Sequence, residues 1–104
     1  MKHAAQALMG LADAWLKAAP RGVHTVRAYL TELNRLDQFL RRAGRDWRQI
    51  DAALLARFWT ALTRGALHET PRPPSSRSLD QIRRIISAFL RWIVEQGYAP
   101  VAAP

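Results

Sequence analysis

Apolar residues recur along this chain at steps of three and four, and the recurrence starts afresh four times. The most regular stretch predicts a helix over residues 76–96. Leu79, Ile82, Ile85, Ile86, Phe89, Leu90 and Ile93 share one side of it, while Arg77, Gln81, Arg84 and Arg91 share the other, with Ala88 completing the row. At 1.5 Å per residue the polar row runs roughly 20 Å, the length of helix that lies across a DNA groove. Ser78 and Gln81 have the spacing of a capping box, which places the helix start there. Gly97 supplies a left-handed stop.

Residues 24–43 form the second strong pattern. Val26, Tyr29, Leu30, Leu33, Leu36, Phe39 and Leu40 make the apolar stripe. Arg27, Thr31, Asn34, Arg35, Gln38, Arg41 and Arg42 make the opposite arc, which holds no acid. Glu32 falls to one flank and Asp37 near the apolar sector. Thr25 is the expected N-cap and Gly44 the stop. Cations mixed with amides and hydroxyls are the groups that phosphate and base-edge contacts draw on.

Two weaker helices complete the set. Residues 3–19 are Ala-rich, with Leu8, Leu11, Ala12, Trp15 and Leu16 at helical spacing. Trp15 is expected in the core, and Pro20, Arg21 and Gly22 end the segment. Residues 51–64 are capped by Asp51 and turn Leu55, Phe58, Trp59 and Leu62 inward. Residues 45–50 connect the second and third helices, held by Trp47 and Ile50. Residues 65–74 carry three prolines and read as a loop, and 98–104 read as the start of a linker. The pattern is all-α: one domain over residues 1–104, with four helices sharing a core.

Charge sharpens this picture. The 104 residues carry 16 Lys and Arg against 8 Asp and Glu, a formal net charge of +8, which favours a polyanionic partner. Fourteen of the sixteen cations are arginine, whose planar fork suits phosphates and guanine edges. A GC-rich coding sequence also enriches arginine, so the positions of the arginines carry more weight than their number.

Several function classes drop out. Without cysteine there is no disulfide, CxxC or thiolate–zinc chemistry. No apolar run approaches the ~20 residues of a membrane span, and the N-terminus lacks the layout of a secretory signal. The expected setting is cytoplasmic, with no membrane partner. His3, His24 and His68 are scattered, with no HxxxH or HxH pair to hold a metal. There is no GxSxG elbow, no glycine-rich phosphate loop and no paired carboxylates in one helix register. No catalytic residue, metal or cofactor is expected in this chain.

The order of these segments resembles the N-terminal core-binding domain of tyrosine recombinases, the phage integrases and Xer-type enzymes. Thr25, Tyr29, Phe39 and Leu40 match the family's Thr-x-x-x-Tyr opening and the hydrophobic pair that ends its second helix. Ser78, Ser87, Ala88, Phe89, Trp92 and Gly97 match its later helix, and the likeness covers nearly the whole chain. The resemblance implies a four-helix SAM-like orthogonal bundle that grips one face of double-stranded DNA at the core recombination site. A catalytic domain of the same protein, on the C-terminal side, closes the clamp and carries the chemistry. The full-length protein would then be a tyrosine recombinase, encoded by a bacterium, phage or mobile element, and acting with other recombinase protomers on DNA. The DNA-binding positions it implies are Thr25, Arg27, Thr31, Asn34 and Arg35 on the second helix. On the fourth they are Arg77, Ser78, Gln81, Arg84 and Arg91. This chain departs from the family at its exit, Ala103–Pro104 in place of Asn-Pro, and in its longer proline loop.

Two rival readings stand beside this one. A helical protein–protein module with an incidentally basic surface would use the aromatic end of the fourth helix, Trp92 and Tyr98, and the Ala-rich first helix. A helix-turn-helix regulator needs a tight turn of three or four residues, which the proline loop does not provide.

Overall fold

The computed structural model describes residues 7–18, 22–65 and 74–97. The expected helix start at residues 3–6, the Pro20–Arg21 break, loop residues 66–73 and linker residues 98–104 lie outside the described residues. Four α-helices and no strand occur among those described: α1 (Leu8–Ala18), α2 (Val23–Arg42), α3 (Ala52–Thr63) and α4 (Ser76–Glu95).

Each described boundary has a local chemical cause. At α3, Asp51 Oδ1 accepts from the Leu54 backbone N–H at 2.8 Å, the cap expected from sequence. The starts of α2 and α4 differ from expectation. Gly22 is the N-cap of α2 and offers no side-chain bond, so Thr25 sits exposed inside the first turn. At α4 the N-cap is Ser75, whose Oγ accepts from the Ser78 N–H at 3.2 Å, while Ser78 lies within the helix. The reason is the run Ser75-Ser76-Arg77-Ser78, in which two serines compete. Nucleating one turn earlier at Ser75 lets the helix carry Arg77 and Ser78 as helical residues.

Gly44 ends α2 at φ +69°, a conformation that costs a side chain roughly 1–2 kcal/mol. This turn lets Arg45 N–H reach the Leu40 carbonyl at 2.9 Å and Gly44 N–H reach that of Arg41 at 3.1 Å. The connector then winds into a 3-10 turn, Trp47–Gln49, closed by a reciprocal Asp46–Gln49 capping box that the apolar pattern did not reveal. Trp47 and Ile50 are buried beneath it, as expected.

The core gathers one face from each helix. Leu11 and Trp15 of α1, Leu33, Leu36 and Leu40 of α2, Phe58 and Leu62 of α3, and Ile86, Phe89, Leu90 and Ile93 of α4 are all buried. Each such side chain contributes roughly 1.5–3 kcal/mol over leaving it in water. Trp15 joins three helices: its ring lies 5.4 Å from Tyr29 of α2, stacked, and 5.4 Å from Phe89 of α4, tilted. On the far side Phe39 meets Phe58 edge-on, bringing α3 to α2. Val26, Tyr29, Leu30, Phe39 and Leu79 lie at the margins of the core and are half-buried.

Candidate nucleic-acid interface

Burial of Ile82, Ile85, Ile86, Phe89, Leu90 and Ile93 fixes the rotation of α4 about its axis. Arg77, Ser78, Gln81, Arg84 and Arg91 are therefore turned to solvent, and all are exposed. Arg77, Gln81 and Arg84 share an open depression of about 720 Å³, and Asp80 lines it with them. Asp80 stands three residues after Arg77 and four before Arg84, an acid within the cationic row that helical periodicity does not single out. Among the described residues its carboxylate makes no hydrogen bond or ion pair, and the three arginines Arg77, Arg84 and Arg91 have no carboxylate partner. Ser78 Oγ and Ser75 Oγ are 3.1 Å apart, so part of the Ser78 hydroxyl's capacity is used locally.

On α2, Leu33, Leu36 and Leu40 are the buried residues and set the orientation. Arg27, Thr31, Asn34, Gln38, Arg41 and Arg42 are exposed. Arg27, Thr31 and Asn34 border an open groove of about 520 Å³, whose apolar side is Met9, Val23, Val26 and Leu30. Val23 is 72% exposed, an apolar element beside the polar arc that helical periodicity did not single out. The Thr31 hydroxyl donates to the Arg27 carbonyl at 2.9 Å, leaving its lone pairs available.

The acids at the edge of this arc alter its chemistry. Arg35 Nη1 lies 2.6 Å from Glu32 Oε1, and both side chains are half-buried, at 25% and 15% exposure. Arg35 is thus paired with an acid at the edge of the arc, unlike Arg27. Asp37, which stood near the apolar sector, accepts from Arg41 Nε at 3.0 Å. The periodicity left both acids off the arc, but an i+3 or i+4 reach brings each carboxylate to it.

The α2 groove and the α4 depression share no residue, and Thr25, Arg35, Ser78 and Arg91 lie outside both. Trp92, a candidate docking residue, packs on the core and stacks on Phe89 at 6.5 Å, so the aromatic end of α4 is partly internal. Its companion Tyr98 lies outside the described residues. Among the described residues no group of three or more His, Asp or Glu could hold a metal ion, and no helix is long and apolar enough to cross a membrane. Asp46 has its carboxyl held below the usual range, chiefly by the Arg48 side-chain hydrogen bond, and that cluster serves the 3-10 turn.

No curated protein and no solved structure matches the chain. Residues 16–97 match the family described as phage integrase, N-terminal SAM-like domain, from the end of α1 through all of α4. That domain is the non-catalytic part of integrases. With four helices, no strand among the described residues and a match over most of its length, the chain belongs to the phage integrase N-terminal SAM-like domain family.

Proposed function

We propose that this domain is the DNA-gripping arm of a tyrosine recombinase, holding duplex DNA at the core recombination site through α2 and α4. The observation that carries this reading is that α2 and α4 of an integrase-family domain display exposed arginines, Arg27, Arg77, Arg84 and Arg91 among them, without a carboxylate partner among the described residues. Unpaired guanidinium groups on a rigid helix face neutralise phosphates and release counterions without first breaking an internal ion pair. Asn34 and Gln81 stand within the same two faces and have the bidentate amide that recognises adenine N6 and N7. Thr25, Thr31 and Ser78 add hydroxyls for phosphate oxygens, and Arg35 acts from beneath by holding α2 in shape.

On this reading strand cleavage falls to a catalytic domain of the same protein that closes on the opposite face of the duplex. Other recombinase protomers occupy neighbouring half-sites. A second reading, a protein-docking module, draws on the exposed Val23 and the apolar side of the α2 groove.

Binding of labelled duplex DNA at several salt concentrations separates the two. The DNA arm predicts log affinity falling by about 0.9 for each phosphate contact per tenfold rise in salt. Arg84→Ala is expected to weaken binding several-fold and lower that slope by about 1, with an unchanged melting temperature. Absence of DNA binding at low salt, with a protein partner captured instead, would favour the docking module.

A further inference from the structure

Asp80 is an acid where a phosphate-facing surface is served by cations alone. Of the seven acids among the described residues, four pair with a basic side chain and Asp51 caps α3. Only Asp80 and Glu95 have no partner among those residues. Arg77, Arg83 and Arg84 all stand at ion-pairing spacing from Asp80, yet none engages it. Arg83 instead lies over the Trp59 ring of α3, 5.7 Å from its centroid. Asp80 is exposed and lines the same depression as Arg77, Gln81 and Arg84. Against a phosphate it would only repel.

We propose that Asp80 is a specificity-determining residue, accepting a hydrogen bond from the N4 amino group of a cytosine in the major groove. The inference rests on the DNA-binding reading of α4. An ionised carboxylate offers acceptors only, so it needs a base edge that donates. Cytosine presents its N4 amino group with no acceptor beside it, whereas adenine N6 is flanked by N7, which repels a carboxylate. Arg77 and Arg84, one turn to either side, hold the flanking phosphates and seat the helix over the base edges. At a G·C pair within reach, Asp80 then chooses which strand carries the cytosine. The repulsion from nearby phosphates then becomes a penalty against every site lacking that cytosine, which is how specificity arises from a contact that adds little affinity.

The test is selection of bound duplexes from a randomised pool, followed by sequencing, with the 104-residue chain and its Asp80→Ala and Asp80→Asn variants. Circular dichroism first establishes that all three fold alike, as expected for an exposed position. The wild-type chain should prefer cytosine at one position by about fivefold or more. Asp80→Ala should lose that preference, keep the others and bind the unselected pool more tightly. Asp80→Asn should turn the same position toward adenine, because the amide both donates to N7 and accepts from N6. A preference that survives Asp80→Ala, a wild-type preference for adenine there, or binding with no base preference would each overturn the role of Asp80 while leaving the DNA arm intact. No binding to any duplex at low salt would overturn both.

Discussion

Asp46, Asp51 and Ser75 each satisfy a backbone N–H that the start of a helical segment leaves without a partner. The α4 start offers a direct check, because two serines compete for it. Ser75→Ala is expected to cost about 1 kcal/mol in chemical denaturation, whereas Ser78→Ala, at an exposed position within the helix, should cost nothing or add a few tenths of a kcal/mol. A larger loss for Ser78→Ala than for Ser75→Ala would return the cap to Ser78.

Asp46 gives a pH signature. Its carboxyl titrates lower in the folded chain than its ordinary 3.8, first because of the Arg48 hydrogen bond. A depressed folded-state value means that the stabilisation is complete above 3.8 and fades as pH falls through the lower folded value. Asp46→Asn keeps an acceptor for the cap but removes the charge. It should therefore lower stability near neutral pH by no more than about 1 kcal/mol, because the pair is solvent-screened. Thermal melts of the two proteins should converge in strong acid.

At the scale of the helix, α2 and α4 look alike in sequence and differ in what their polar faces have free. Both place apolar residues at three and four residue steps, and both carry four or more arginines. On α2 two carboxylates fold back onto Arg35 and Arg41, while on α4 the arginines of the outer row keep no acid. The consequence is measurable at Arg35. Arg35→Ala leaves the Glu32 carboxylate partly buried without its cation and should cost on the order of 1–2 kcal/mol. Removing Glu32 as well should recover part of that loss in a double-mutant cycle. Full additivity of the two substitutions would show that the pair contributes nothing. Arg84, with no such partner among the described residues, should lose no stability on the same truncation.

At the scale of the whole molecule, the helices converge on Trp15, Phe58 and Phe89, and that convergence turns separate amphipathic segments into a fixed display of cations. The all-α class, the helix count and the inward faces were legible because helical periodicity is local: burying one stripe forces the residues opposite it outward. The stop at Gly44 and the cap at Asp51 were legible for a similar reason, since a backbone with positive φ and an orphan N–H each demand a particular residue type. The competing serines at α4 were not, because a one-turn shift changes no apolar contact that the pattern records. Nor were the capping box at Asp46, the pairing of Arg35 with Glu32 or the isolation of Asp80. By itself the sequence determined which face of each helix turns outward. Only the tertiary structure decided which of them remain available, because rotamer choice and packing against neighbouring helices settle whether a charge is spent within the fold or left free for a partner.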